Sequence, residues 1–184
     1  MFNLNSIDKT WTLFLDRDGV INVEKKDEYV LNSSEFIFLD GVFEAIKMLS
    51  KIFSLILVTS NQRGVAKQLM SLEDLYDVHA YMMKEIKLHG GRIDKIYFCT
   101  DLDSASPNRK PNPGMALQAK KDFPQIDFSK SIMVGNKLTD MQFARNVNMH
   151  SVFIASTNPE IIFPHDLIDV RFNSLIEFSK AIII

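Results

Sequence analysis

The chain alternates short apolar runs with longer segments in which apolar residues recur every three or four positions. The short runs are rich in β-branched and aromatic residues, which is typical of buried strands. The longer segments have the periodicity of amphipathic helices. The predicted strands span residues 11–15, 55–59, 96–98, 131–134 and 151–155, and the predicted helices span residues 42–51, 72–89, 114–121 and 138–146.

This alternation predicts an α/β fold, a three-layer sandwich with helices on both faces of a Rossmann-like parallel sheet. Residues 174–184 are expected to form a final helix packed on the domain. The alternative is that the apolar ending 182–184 forms an interface patch. No insertion after the first strand or between the middle strands is long enough for a large cap domain. We therefore predict a single domain over residues 1–184.

Charge and composition narrow the classes of partner. The formal net charge is -2 and the basic residues are scattered, which favours neither nucleic acid nor a membrane surface as a partner. No stretch approaches the roughly 20 apolar residues of a membrane span, and residues 1–10 lack the pattern of a secretion signal. A cytoplasmic monomer is the expectation. Cys99 is the only cysteine, which excludes an internal disulfide and a cysteine-rich zinc site; we interpret it as a buried apolar residue.

The first predicted strand runs into Asp16-Arg17-Asp18-Gly19. Ligands bind beyond the carboxyl ends of parallel strands, so this position is where a site is expected. Side chains alternate along an extended chain, which places the two carboxylates on one side and points Arg17 away. Paired carboxylates bind a hard cation or divide nucleophile and acid/base roles. A solvated acidic turn is the alternative, but apolar residues on both flanks favour a buried site.

Two further strand ends carry groups that suit a phosphate. Ser60 and Asn61 follow the second strand, where a hydroxyl and an amide can bind phosphate oxygens, although ordinary helix N-capping is the alternative. Beyond the third strand, Arg109 and Lys110 precede Pro111, and two adjacent cations can hold a dianion. A solvated basic loop would explain that pair as well.

The fourth strand end supplies Asn136, Lys137 and Asp140: an amide, a cation and a carboxylate. All four ends meet at the same edge of a parallel sheet. Together they provide a nucleophile, a proton donor, a cation site and positive clamps, which are the groups that phosphoryl transfer needs.

These motifs resemble those of haloacid dehalogenase-type phosphatases, and within them the D-glycero-D-manno-heptose 1,7-bisphosphate phosphatases and the related histidinol-phosphate phosphatases. The likeness extends over residues 11–169. The segments that carry it are Phe14-Leu15-Asp16-Arg17-Asp18-Gly19-Val20-Ile21-Asn22, Ser60-Asn61-Gln62, Arg109-Lys110-Pro111, Met133-Val134-Gly135 and residues 137–142.

The resemblance implies roles for the acidic residues. Asp16 would be the nucleophile that forms an aspartyl-phosphate. Asp18 would protonate the leaving oxygen and then activate water as a base. Mg²⁺ would be held by the Asp16 carboxylate, the Asp18 backbone carbonyl and the fourth-strand loop, through Asn136 and Asp140.

The resemblance also implies how the substrate is held. Ser60 and Asn61 would bind the transferring phosphoryl group together with Lys110, which also counts among the catalytic residues. Arg109 and Lys137 would contact the substrate.

The sequence departs from the family in two places. Family members commonly carry a loop with several cysteines and one histidine that binds structural zinc, whereas residues 99–108 contain one cysteine and no histidine. We therefore expect no zinc. The family also has aspartate where this chain has Asn136, and a neutral amide attracts a cation less strongly. We expect Asn136→Asp to lower the Mg²⁺ concentration needed for activity about tenfold.

The sequence thus predicts a Mg²⁺-dependent phosphomonoester hydrolase that removes the 7-phosphate of a heptose bisphosphate, a small phosphorylated metabolite. Histidinol phosphate or another small phosphomonoester is an alternative substrate. A catalytically weak binding module is an alternative of another class, because Asn136 removes a charge. Retention of Asp16, Asp18, Lys110 and Asp140 favours the enzyme.

Overall fold

A computed structural model describes residues 2–26 and 28–182 of the chain. The described strands are β1 (Thr12–Leu15), β2 (Leu55–Asn61), β3 (Lys95–Cys99), β4 (Ser131–Gly135), β5 (His150–Ile154) and β6 (Val170–Phe172). The described helices of more than one turn are α1 (Val42–Ile52), α2 (Leu72–Leu88), α3 (Gly114–Asp122), α4 (Leu138–Asn146) and α5 (Leu175–Ile182). The strands form one parallel sheet in the order β3-β2-β1-β4-β5-β6. The predicted α/β fold is confirmed.

Alternating side chains of the central strands build a core on each face of the sheet. Leu13 and Leu15 of β1 pack in a cluster with buried residues of α1, α2 and α5. Phe14 points to the opposite face, where its cluster includes residues of α3 and α4. Both faces are therefore covered, and this explains why β1, β2 and β4 read as continuous apolar runs.

The sheet edge that carries the candidate site lies at the centre of the strand order. β1 pairs with β2 on one side and with β4 on the other, so the strand order reverses between β1 and β4. The crevice outside the carboxyl ends of the strands at such a reversal is the usual ligand site of open α/β sheets. The residues that follow β1 and β4 are therefore neighbours at this edge.

Two details differ from the predicted elements, and the final helix agrees with them in part. β2 continues to Asn61, so Ser60 and Asn61 belong to the strand itself. β6 was not predicted because it has three half-buried residues and forms by pairing with β5. The predicted final helix is confirmed for Leu175–Ile182, whereas residues 183–184 lie outside the described residues.

The partly buried Ile182 packs against the large core cluster. No helix within residues 2–26 and 28–182 has the length and apolar character to cross a membrane. That the chain forms a single domain stays a prediction.

Candidate active site

Asp16 immediately follows β1 and is almost completely buried, with 7% of its surface exposed. Its backbone N–H donates to Val134 O over 2.9 Å, which ties it to the end of β4. Burial raises the pKa of Asp16 to about 7, and the carboxylates of Asp140 and Asp18 add to the rise while Lys110 opposes it. A cation bound beside Asp16 would favour the ionised form that nucleophilic attack requires.

Lys110 connects three parts of the site through one ammonium group. Its Nζ donates to Asp16 Oδ1 over 2.9 Å and to Thr59 O over 2.7 Å, and lies 2.6 Å from Asp140 Oδ1. Burial by itself would lower the pKa of Lys110, but the charges of Asp140 and Asp16 raise it above its usual value. Lys110 is therefore a fixed positive charge at the centre of the site.

Asp140 reaches this cluster from the first turn of α4. Its Oδ2 accepts a hydrogen bond from the backbone N–H of Lys137, which caps the helix, while Oδ1 faces Lys110. A Cβ at Gly135 would lie only 2.3 Å from Asp140 Cβ, so this approach requires glycine. Both oxygens have a partner within the protein, and Asp140 as a metal ligand stays a prediction.

Asp18 is surrounded by hydrogen-bond donors, and the expectation that Arg17 points away from it is wrong. Arg17 Nη2 lies 2.9 Å from Asp18 Oδ1, which also accepts from Asn22 Nδ2, and Asp18 Oδ2 accepts from Gln62 Nε2 over 2.8 Å. Burial would raise the pKa of Asp18, but these partners lower it below its usual value. The alternation rule failed because β1 ends at Leu15 and the chain then turns, with Gly19 at φ 85°.

Beneath Arg17 lies His79 of α2, a residue that sequence reasoning missed. Arg17 is 1% exposed, and its Nη1 lies 3.3 Å from His79 Nε2. Burial lowers the pKa of His79 to about 3, with the Arg17 charge acting in the same direction. The imidazole is therefore neutral and can accept from the guanidinium. The helical spacing of α2 marked His79 only as a core-facing position.

Ser60 and Asn61 both lie at the site but differ in what they contact. The buried Ser60 Oγ accepts from Gln62 Nε2 over 2.8 Å. Asn61 exchanges two hydrogen bonds with the backbone of Lys110, donating from Nδ2 to its carbonyl over 3.1 Å and accepting at Oδ1 from its N–H over 3.0 Å. The Asn61 side chain therefore braces the lysine loop through one N–H of Nδ2 and through Oδ1, and its contact with a phosphate oxygen stays a prediction.

Asn136 follows β4 and is completely buried. Its Nδ2 donates to Glu24 Oε2 over 2.7 Å and to Thr157 Oγ1 over 2.6 Å. Its Oδ1 is buried without a hydrogen-bond partner among the described residues. A Cβ at Gly19 would lie 2.1 Å from Asn136 Nδ2, so the Asp18-Gly19 turn and the Asn136 amide are in direct contact.

These residues fit a magnesium ion with a modest ligand set. Within the described part of the chain, no group of three or more His, Cys, Asp or Glu side chains could hold a metal. Mg²⁺, however, usually binds one or two carboxylates together with waters and substrate phosphate. The Asp16 carboxylate, the Asp18 backbone carbonyl and the orphaned Asn136 Oδ1 are oxygen atoms of the type that Mg²⁺ binds, and their role as ligands stays a prediction.

The site opens into a cavity of about 980 Å³ whose wall is rich in charge of both signs. Arg109 is half-buried in this wall, and its Nη1 donates to Leu102 O. Lys137 is half-exposed and pairs with Glu24. The other charged residues lining the cavity beyond the central cluster are Lys25, Lys26, Glu28, Arg63, Lys67 and Glu160.

The loop before Arg109 is held by hydrogen bonds. Asn112 Nδ2 donates to Ser104 O over 2.9 Å and to Ser106 O over 2.8 Å. The buried Cys99 lies 3.8 Å from Ser106 Oγ, and Ser106 Oγ donates to Asp101 Oδ2. These hydrogen bonds link residues of the loop to one another. The absence of zinc stays a prediction.

Comparison with known proteins shows which family this chain belongs to. Residues 11–155 match the family described as polynucleotide kinase 3 phosphatase. The chain is 38% identical over 148 residues to a D-glycero-alpha-D-manno-heptose-1,7-bisphosphate 7-phosphatase of Campylobacter jejuni, covering 80% of this chain and 84% of that protein. It is 36% identical over 180 residues to the corresponding beta-heptose enzyme of Yersinia pestis, covering 92% and 94%.

A solved structure shares the fold. The chain superposes with a TM-score of 0.84, at 24% identity, on D,D-heptose 1,7-bisphosphate phosphatase from B. bronchiseptica complexed with magnesium and phosphate. The match covers 94% of this chain and 98% of that chain. The chain therefore belongs to the polynucleotide kinase 3 phosphatase family, a group of haloacid dehalogenase-type phosphatases that hydrolyse phosphate esters.

Proposed function

We propose that this chain is a Mg²⁺-dependent phosphatase that removes the 7-phosphate of D-glycero-D-manno-heptose 1,7-bisphosphate through an intermediate on Asp16. The observation that carries the proposal is the buried Lys110 Nζ, which holds Asp16 at the end of β1 and Asp140 at the start of α4. This pairing fixes the carboxylate at the floor of the cavity. Relatives that carry the name of this enzyme support the choice of substrate.

In the first step, an oxygen of Asp16 attacks the phosphorus and the bond from phosphorus to the sugar oxygen breaks. Asp18 gives a proton to that leaving oxygen, so the sugar departs as an alcohol. The resting site holds Asp18 ionised, because Arg17, Asn22 and Gln62 stabilise its charge. The negative charge of an arriving phosphate opposes that effect and favours the protonated form that the acid role requires.

In the second step, the ionised Asp18 takes a proton from water as the water oxygen attacks the phosphorus. The bond from phosphorus to Asp16 breaks, the carboxylate is restored and inorganic phosphate leaves. Lys110 and Ser60 would stabilise charge on the phosphoryl oxygens, a role supported by the contact of Lys110 with Asp16. A bound Mg²⁺ would supply further neutralisation of the phosphoryl charge, held by Asp16, the Asp18 carbonyl and Asn136.

The cations of the cavity wall support a substrate with a second phosphate. Arg109 and Lys137 line the cavity with Arg63 and Lys67, so several cations surround the space beyond the reacting group. A sugar with a remote phosphate has a negative group for them to bind, which histidinol phosphate lacks. Relatives named for the alpha and for the beta anomer both align with this chain, so the anomer is left open.

A small sugar phosphate as substrate also fits a cytoplasmic enzyme, and we propose that the protein acts there as a monomer. The net charge of -2 and the scattering of basic residues along the sequence make nucleic acid a poor substrate despite the family description.

A substrate panel with Mg²⁺ tests the proposal. The panel contains both anomers of the heptose bisphosphate, histidinol phosphate and a 3′-phosphorylated oligonucleotide, with ³¹P NMR to identify the phosphate released. We expect a kcat/KM for one heptose anomer about tenfold or more above the other compounds. Preferred cleavage of histidinol phosphate, of the oligonucleotide or of the 1-phosphate would reject this assignment.

A further inference from the structure

Glu24 lies in the loop after β1 and contacts Asn136 and Lys137, the two residues that follow β4. Its position is fixed by the backbone around it: Asn22 forms a bridge with Phe38, and Val23 N–H donates to Ile37 O over 2.8 Å. The Glu24 side chain is 19% exposed and lines the cavity. The role of Glu24 was not apparent from the sequence, since it lies 112 positions from Asn136.

The Glu24 carboxylate determines which way the Asn136 amide faces. An ionised carboxylate only accepts hydrogen bonds, so the group 2.7 Å from Glu24 Oε2 must be the amide nitrogen. Thr157 Oγ1 accepts from the same nitrogen, and Asn158 Nδ2 donates to the backbone carbonyl of Asn136 over 2.8 Å. The amide is therefore clamped from two loops, and Oδ1 is the atom left without a partner among the described residues.

Glu24 also places a negative charge where the neutral amide has none. Asn136 supplies no charge at the end of β4, and a carboxylate from another loop is in contact with its amide. A neutral oxygen ligand with an adjacent carboxylate attracts a divalent cation more strongly than a neutral ligand alone.

We propose that Glu24 is a positioning residue for the divalent cation: it turns the Asn136 amide so that Oδ1 is available as a ligand, and it supplies the charge that the amide lacks. The inference rests on the cation site of the proposed function. It is independent of which phosphate ester the enzyme cleaves.

Cation binding without substrate tests the proposal. Metal-free protein is titrated with Mg²⁺ in a calorimeter and with Mn²⁺ under electron paramagnetic resonance. Glu24→Gln, which keeps an acceptor but removes the charge, should weaken binding about tenfold, and Glu24→Ala, which removes both, should weaken it further. Unchanged affinity in Glu24→Ala would overturn the proposal.

Two control variants separate this role from others. Glu160→Gln removes a charge from the same cavity wall but touches neither Asn136 nor Lys137 in the described contacts, and should change cation affinity about twofold or less. Lys137→Gln removes the ion pair with Glu24 and should leave cation affinity equal or tighter. A loss in either control as large as that in Glu24→Gln would show that Glu24 has no specific part in the site.

The contact itself can be tested in metal-free protein, independently of activity. Asn136→Asp would place carboxylate oxygens where 2.7 Å now separates Nδ2 from Glu24 Oε2, and the repulsion should lower the urea midpoint of unfolding in EDTA. Adding Glu24→Gln should restore at least half of that drop. Additive effects of the two substitutions would show that the side chains are not in contact.

These outcomes are distinguishable from failure of the proposed function. Inactivity on the heptose bisphosphate with intact, Glu24-dependent Mn²⁺ binding would reject the substrate and keep the positioning role. That Asn136→Asp lowers the Mg²⁺ concentration needed for activity about tenfold stays a prediction, and we expect it to be accompanied by a loss of stability in the metal-free state.

Discussion

Lys110 Nζ lies 2.6 Å from Asp140 Oδ1, and both side chains are only 2% exposed. Both charges are buried, so each is tolerated in the fold only while its partner is present. Removing one partner of a buried ion pair is strongly destabilising because the other is left without compensation.

We therefore expect Lys110→Met to lower the free energy of unfolding by about 3–5 kcal/mol, the range found for broken buried pairs. The loss should be partly recovered in Lys110→Met/Asp140→Asn, which also removes the Asp140 charge that Lys110→Met leaves without a partner. Urea unfolding of the two variants checks this. A Lys110→Met protein as stable as the wild type would mean that the ion pair is not formed.

Arg109 and Lys110 are adjacent but are expected to differ in their kinetic roles. Lys110 contacts Asp16 directly, so Lys110→Ala should mainly lower kcat, by about a hundredfold or more. Arg109 lies in the cavity wall, so Arg109→Ala should mainly raise KM. Steady-state kinetics on the heptose bisphosphate measures both, and the same dominant effect in the two variants would contradict this division.

The loop before Arg109 is expected to keep its structure without a metal. The purified protein should contain no stoichiometric zinc, and EDTA should stop catalysis while leaving the fold intact. Elemental analysis and circular dichroism check the two parts. One tightly held zinc per chain would overturn this prediction.

The hydrogen bonds of Asn112 are expected to hold Arg109 in place. Asn112→Ala removes two hydrogen bonds to Ser104 and Ser106 and should raise KM because Arg109 is displaced.

His79 should make stability depend on pH. Its pKa is lowered to about 3 in the fold, against 6.5 as its ordinary value, so between these values the unfolded chain binds a proton that the folded chain does not. The stability that depends on neutral His79 is fully present above pH 6.5 and is lost as the pH falls towards 3. Over that range the free energy of unfolding falls by about 1.4 kcal/mol per pH unit.

The matched variant is His79→Gln, which can still accept from Arg17 but does not titrate. Its free energy of unfolding should fall less steeply than that of the wild type between about pH 6 and pH 4. Parallel curves for the two proteins would show that His79 is not buried in its neutral form.

Local patterns were sufficient to predict most of the sheet and the edge at which the site lies. β1, β2 and β4 are buried on both faces, so their apolar runs identify them, and the polar residues that follow mark the site. The three half-buried residues of β6 carry no such signal, because that strand is defined by its pairing with β5.

Contacts between distant residues could not be predicted from these patterns. Asn61 is a good phosphate ligand by residue type, but the structure pairs its amide with the backbone of Lys110, 49 positions away. Likewise, Arg17 contacts Asp18 because β1 has already ended, and its Nη1 contacts His79 of α2, 62 positions away. Residue type predicted the chemistry of the site, whereas long-range packing determined the partners.

The nucleophilic role of Asp16 is tested most directly by trapping the phosphorylated enzyme. Asp18→Asn retains the nucleophile but lacks the base that activates water, so the intermediate should accumulate with a substrate that has a good leaving group. After mixing with Mg²⁺ and such a substrate and quenching in acid, peptide mass spectrometry should find one phosphoryl group on Asp16. Its absence in Asp16→Asn/Asp18→Asn is the control. A phosphoryl group on another residue, or normal turnover by Asp16→Asn, would contradict the account.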